Sequence, residues 1–253
     1  MLKIYSVSHK EIERFAPERI PLGVGANRNM QGIELYDNVG ENIAEKNKSF
    51  CELTALYWIW KNTDDEAVGF EHYRRFFCRE NLFGYRPLTK NEMCKILKTH
   101  DVLLPRMAKA KTNMYDYYAA EHYQSDMDIC GEIIQELYPE YFSSYKRVLG
   151  QKYGSMANMF VMKKSLMDKY CEWIFSILFE AEKRIDYSDR DAYQQRVFGF
   201  LSERLFNVWV EHNNLKVCYK RIHGYGDGCM FGRVFRQQWK NFKGIFSKKQ
   251  SKN

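Results

Sequence analysis

No run of about 18 uninterrupted apolar residues occurs in the 253-residue sequence, so no membrane-crossing helix is expected. The opening MLKIYSVSHK is too short and too soon charged for a secretory leader, and a cytoplasmic chain is expected. Cysteines are few and unpaired in pattern. Cys51, Cys78, Cys94, Cys130, Cys171, Cys218 and Cys229 include no C-x-x-C, and their apolar surroundings read as buried thiols of a reducing compartment. The six histidines lack metal-ligand spacing, which leaves no zinc site to expect. Also missing are G-x-G-x-x-G, the Walker sequence, a G-x-S-x-G elbow and a defensible Ser, His, Asp order. Dinucleotide, P-loop and serine-hydrolase chemistry are therefore disfavoured. A lone GYGDG at Gly224–Gly228 opens no helix and reads as a turn.

Acid is absent from the C-terminal segment. From Phe231 onward stand Arg233, Arg236, Lys240, Lys243, Lys248, Lys249 and Lys252 without an Asp or Glu, and they account for the whole net charge of +7. A neutral body with a basic tail argues against a nucleic-acid groove across the domain. At 100° per residue, Phe231, Val234, Phe235, Trp239, Phe242, Ile245 and Phe246 share one arc opposite the cations. Such an amphipathic helix suits an anionic inner-leaflet surface; the same stripe would serve a helix docked on the core.

What is present reads as alternating strands and helices in one domain, without repeats or internal linkers. Strands are expected at Lys3–Ser8, Ile20–Val24, Ala67–Phe70, Asp101–Leu104 and Asn158–Met162. Helical spacing predicts a single helix over Ser49–Lys61 and others over Lys164–Arg184 and about Asp191–Glu211. Two or three tyrosine-rich helices are expected over Asn113–Leu149, interrupted at Pro139.

In open α/β sheets ligands bind beyond the carboxyl ends of the strands. Those ends here carry His9 and Lys10, then Glu71, His72, Tyr73, Arg74 and Arg75, then Lys163 and Lys164. Arginine forks and lysine point charges suit a diphosphate, although an ion-pair network among nearby acids would also use Arg74 and Arg75. A carboxylate able to take a hydroxyl proton is available at Glu203, Asp191, Asp126 or Asp128. Glu203 lies amid Phe200, Leu201 and Leu205, where burial would raise its pKa; pairing with Arg204 or Arg196 would make it structural. Tyr115, Tyr117, Tyr118 and Tyr123 fit core-lining helices better than a sugar platform.

Several long segments, GENIAEKNKSFCELTALYWIWKN (Gly40–Asn62), VGFEHYRRFF (Val68–Phe77), DVLLP, AEHYQSDMDI (Ala120–Ile129), NMFVMKK and Tyr170–Val210, resemble a bacterial capsular and exopolysaccharide glycosyltransferase family long carried as a domain of unknown function. The resemblance covers about residues 2–220. It implies a GT-A-like α/β domain with a Rossmann-like mixed sheet flanked by helices, over residues 1–222, plus a tail over 223–253. Residues 1–105 would bind a nucleotide-diphospho-sugar donor, and 106–222 would shape the site of a lipid-linked or growing glycan acceptor. Some members resemble galactofuranosyltransferases with a UDP-linked donor, and inverting transfer is implied. Carried over by motif, the donor side comprises His9, Lys10, Asn42, Lys46, Asn47, His72, Tyr73, Arg74, Arg75 and Arg204, the acceptor side His122, Asp126 and Asn158, and the catalytic groups Glu203 and Asp191. No organic cofactor is expected. Relatives of this fold usually hold a divalent cation on D-x-D, and this chain has Glu71, His72, Tyr73 instead. Either Glu71 and His72 ligate a cation, or Arg74 and Arg75 replace it. A non-catalytic scaffold and a metal-dependent phosphatase or nuclease using Asp126, Asp128 and Asp191 are the alternatives. The resemblance and the tail together lead us to expect a peripheral protein on the inner face of the plasma membrane.

Overall fold

The computed structural model describes residues 1–11, 15–81 and 84–224. Its elements in chain order are β1 (Leu2–Ser8), β2 (Ile20–Gly23), β3 (Leu35–Tyr36), α1 (Asn47–Phe50), α2 (Leu53–Asn62), β4 (Ala67–His72), β5 (Phe76–Asn81), β6 (Gly84–Pro87), α3 (Lys90–Leu97), β7 (Val102–Pro105), β8 (Ala108–Lys109), α4 (Met114–Glu121), α5 (Gln124–Leu137), α6 (Phe142–Leu149), β9 (Tyr153–Gly154), β10 (Phe160–Lys163), α7 (Lys164–Arg184), α8 (Val197–His212), β11 (Val217–Lys220) and β12 (Ile222–His223). The amphipathic helix expected from Phe231 onward lies outside the described residues.

Seven strands form one sheet in the order β11-β7-β10-β4-β1-β2-β3. Only β10 runs against its neighbours, β4 and β7; the other pairings are parallel. The α/β domain with a mixed sheet flanked by helices is thus the architecture found. Both faces of the central strands are buried, and the pleat sorts their side chains between two cores. Tyr5, Val7, Val68, Phe70, Val102, Leu104, Phe160 and Met162 pack on one side with α2, α5, α7 and α8. Leu2, Ile4, Ala67, Leu103 and Val161 face the other way, toward Met93 of α3. Helix α3 begins with a capping box, in which Thr89 accepts from the Glu92 amide and Glu92 accepts from the Thr89 amide, satisfying two end donors.

Two expectations are corrected. The helix over Ser49–Lys61 is broken, because Cys51 has φ 54° and ψ −131°, a left-handed conformation outside the helical range. Asn47 holds the break, its amide donating to the Cys51 carbonyl at 2.7 Å and to Thr54 Oγ1 at 3.0 Å. The strand expected to stop at Phe70 continues to His72, where a tight turn leads into β5 (His72 N to Arg75 O 3.2 Å, Arg75 N to His72 O 3.0 Å). The predicted span Lys164–Arg184 is α7 itself.

Candidate functional site

The parallel strands β1, β2 and β4 end side by side, and beyond them opens a cavity of about 950 Å³. Val7 is near the end of β1 and His9 follows it, Val24 and Gly25 follow β2, and His72, Tyr73, Arg74 and Arg75 occupy the β4–β5 turn. The opposite wall comprises Asn47, Lys48, Cys51 and Glu52 from the broken helix, and Ala192, Arg196 and Glu203 from the approach to α8 and its second turn. Gly25 has φ 86°, and a side chain there would start 3.2 Å from Asn47 Oδ1; only glycine adopts that backbone freely and keeps this corner open.

Positive charge dominates the walls. His9, however, is held below its usual pKa, first by burial and then by Lys10, Arg74 and Arg196, so it enters as a neutral ring at pH 7. Its ring meets Tyr73 edge-on with centroids 5.4 Å apart, while the Arg74 guanidinium lies 5.0 Å from the Tyr73 ring centre. Arg196 donates to Cys51 Sγ at 3.2 Å. Burial, followed by the Glu52 charge, pushes the Cys51 thiol up to about 11, which keeps it protonated and a poor nucleophile near neutral pH.

The two carboxylates of the cavity differ in their support. Glu52 accepts a 2.7 Å bond from Asn158 Nδ2 and stands 4.0 Å from His72 Nε2. Asn158 is fixed in turn by Ser202 Oγ, which donates to its Oδ1 at 3.0 Å, and by the Gly199 carbonyl, to which its amide donates at 3.2 Å. Glu203 accepts 2.9 Å from Arg204. Its pKa is raised to about 7, mainly by burial and further by Glu52, against the pull of Arg204, Arg75 and Arg196. A carboxylate half ionised at neutral pH, facing a cationic wall, is suited to accept a proton.

The expected residues divide between this cavity and its surroundings. His9, Asn47, His72, Tyr73, Arg74, Arg75 and Glu203 line it together. Lys10 stands beside it, with its ammonium 6.0 Å from the Tyr73 ring, and Asn158 supports it through Glu52. The others are engaged elsewhere. Lys46 pairs with Glu182 at 2.9 Å. Asn42 donates to the Gly40 carbonyl and accepts from the Ala44 amide. Asp191 accepts from the amides of Tyr193 and Gln194. Arg204 is buried and holds Glu203 from behind, bonding also to the Phe200 carbonyl. Asp126 is buried and gripped on both oxygens by Arg190 at 2.6 and 2.8 Å. His122 stacks on Phe200 at 4.1 Å, and Asp128 accepts from Tyr115. Asp126, Asp128 and Asp191 therefore have three separate jobs.

Strand parity separates Glu71 from His72, the two residues of the expected cation alternative. Consecutive strand residues point to opposite faces, so His72 faces Glu52 and Asn158 while Glu71 faces the α3 side. Glu71 is fully buried there, accepting from Arg19 Nε at 2.8 Å, Arg19 Nη2 at 3.1 Å and the Phe77 amide at 2.9 Å. Among the described residues no group of three or more His, Cys, Asp or Glu side chains could hold a metal ion, and the donor set does not fit one here. The signals that sequence reasoning passed over are Glu52, the single acid between Lys48 and Lys61, and Cys51, whose backbone break turns both residues into the cavity.

Fold and cleft together define an α/β protein with a cation-lined cavity beyond its parallel strand ends. Residues 3–214 match the family described as a domain of unknown function, DUF4422, and the chain belongs to that family. A solved apo structure of the bifunctional glycosyltransferase WbbM is similar to it at 32% identity with a TM-score of 0.78, over 89% of this chain and 45% of that one. The chain thus spans less than half the length of that structure. No curated protein matches.

Proposed function

We propose that this chain is an inverting glycosyltransferase that moves a sugar from a nucleoside-diphosphate donor, UDP-linked and with galactofuranose the first candidate, to a hydroxyl of a lipid-linked or growing surface polysaccharide. The observation that carries the proposal is Glu203, a carboxylate with its pKa raised to about 7, sharing one cavity with Arg74, Arg75 and Arg196 in a chain similar in sequence and fold to a glycosyltransferase structure.

In the proposed reaction Glu203 takes the proton of the acceptor hydroxyl as its oxygen bonds to the anomeric carbon from the face opposite the leaving group. The carbon–oxygen bond to the diphosphate breaks, and the electron pair leaves with the nucleoside diphosphate. Arg74, Arg75 and Arg196 offset the growing phosphate charge with fixed cations, which serve the transition state because they need not reorganise. Glu52, held by Asn158, keeps the Glu203 pKa high enough for the acid formed to be stable. His9, as a neutral ring, and Tyr73 offer aromatic surface on the donor side. On this proposal the protein works at the cytoplasmic face of the membrane, where donor and lipid-linked acceptor meet.

Calorimetric titration with UDP, once with manganese and once with EDTA, tests the proposal. Equal binding in both, followed by turnover of a UDP-sugar seen as UDP release, is the expected result. Failure to bind any nucleotide sugar would overturn it in favour of a non-catalytic scaffold. Binding only with manganese would overturn the role given to the arginines.

A further inference from the structure

A second cavity, of about 570 Å³, shares no lining residue with the first and lies among β5, α3 and the edge strand β11. Of the ten side chains that line it, five are Lys or Arg and one, Glu92, is acidic. That acid is already committed. Arg86 grips both its oxygens at 2.7 and 2.8 Å, and this bond, the largest influence, holds Glu92 at a pKa of about 2. Lys95, Arg106 and Lys220 form no ion pair with a described residue and are solvent-exposed. Three uncompensated cations therefore converge on a hollow whose floor includes Leu88 and Ile96.

The surroundings continue the same chemistry. The Arg106 amide donates to the Lys220 carbonyl at 2.8 Å, which places Met107 next to the edge strand, and Lys109 pairs with Tyr153 across β8 and β9. Met107, Tyr153 and Tyr219 are exposed large apolar side chains, at 41%, 49% and 36%. Lys109 lies over the Tyr153 ring at 5.6 Å. Aromatic and Met side chains interleaved with Lys and Arg along one edge match the pattern of an interfacial surface, where rings enter the headgroup layer and cations meet phosphates. A soluble anion would explain the cations but not these exposed apolar groups. The sequence from Phe231 onward adds seven cations and no acid.

We propose that this face of the folded domain docks on an anionic membrane, with Lys95, Arg106 and Lys220 receiving a lipid phosphate in the cavity and Met107, Tyr153 and Tyr219 entering the headgroup layer. The proposal is independent of the chemistry assigned to the first cavity. It differs from tail-only binding, because the folded surface then contributes its own share.

The test is sedimentation of the full chain with phosphatidylcholine vesicles, either pure or carrying about one third phosphatidylglycerol, at low and high salt. Binding to anionic vesicles only, weakened by salt, is expected. The triple variant Lys95→Gln, Arg106→Gln, Lys220→Gln keeps the tail and alters only exposed side chains, and an unchanged thermal midpoint checks its fold. Its partition onto anionic vesicles should fall about a hundredfold, at roughly fivefold per cation. Met107→Ser with Tyr219→Ser should lower partition with little change in salt dependence. Equal binding by the triple variant and the wild type would assign the membrane contact to the tail and overturn the proposal. So would equal binding to neutral vesicles, or binding of inorganic phosphate without any binding of vesicles.

Discussion

Glu203 gives the proposal for the first cavity its sharpest test. If it is the proton acceptor with a pKa of about 7, only the ionised form works. About a tenth is ionised at pH 6 and about nine tenths at pH 8, so kcat/KM should climb close to tenfold per unit below pH 7 and level off above it. An ordinary glutamate near 4.5 would give a flat profile over the same range. Glu203→Gln should lower kcat/KM by about 10²- to 10⁴-fold, the usual worth of a positioned base, and abolish the limb. Folding stability supplies a second readout with a fixed sign. Below pH 4.5 the group is neutral in both folded and unfolded chains and contributes nothing. Between 4.5 and about 7 the unfolded chain ionises while the folded one resists, so stability falls, and above 7 the full penalty applies. The shift corresponds to roughly 3 kcal/mol, discounted to about 2 kcal/mol because the side chain keeps 23% of its exposure. Urea unfolding should therefore find Glu203→Gln more stable than the wild type by about 2 kcal/mol at pH 8 and equal to it at pH 4. A wild-type activity limb near pH 4.5, or a glutamine variant with undiminished turnover, would refute the assignment.

Glu52→Gln removes the like charge that helps to raise Glu203 and keeps an oxygen for Asn158, so the activity limb should move to lower pH; an unmoved limb would show that Glu52 does not set it. Arg74→Ala and Arg75→Ala should each weaken UDP binding by roughly ten- to a hundredfold, as loss of a charge-assisted hydrogen bond requires, whereas Lys46→Ala, whose partner is Glu182, should leave the calorimetric Kd unchanged. Glu71→Ala strands Arg19 in the core beside the Pro17 and Leu88 carbonyls and should destabilise the fold by about 3–5 kcal/mol in denaturant titration. Cys51→Val puts a β-branched side chain at φ 54° and should cost about 1–3 kcal/mol, measured the same way.

The central strands and the long helices were legible because burial imprints a period on them. Leu2 to Ser8 and Lys164 to Arg184 carry enough residues for that period to stand out. The two-residue strands β3, β8, β9 and β12 are too short to show any alternation, and β5 with β6 lie behind a segment after Phe70 whose composition is that of a polar cluster although it forms the turn from β4 into a second sheet. The break at Cys51 was equally hidden, since its cause is a side-chain bond from Asn47 to a main-chain oxygen, while the apolar spacing across it remains helical.

The site shows the same division. That His9 and the His72–Arg75 segment would gather at one edge followed from sequence, because residues just past parallel strands must emerge on the same side of the sheet. Sequence likewise set the resemblance to one family and the chemical kinds of residue available to the cavity. Which carboxylates enter it was decided only by tertiary packing. Glu203 and Glu52 are 151 positions apart in the chain and come to one wall through the packing of α1 against α8. Asp126 looks as suitable as Glu203 in the sequence, yet it is claimed by Arg190, 64 positions away. Ionisation at such a residue depends on the solvent it has lost and the charges it has gained, and both are properties of neighbours that the fold, not the adjacent chain, supplies.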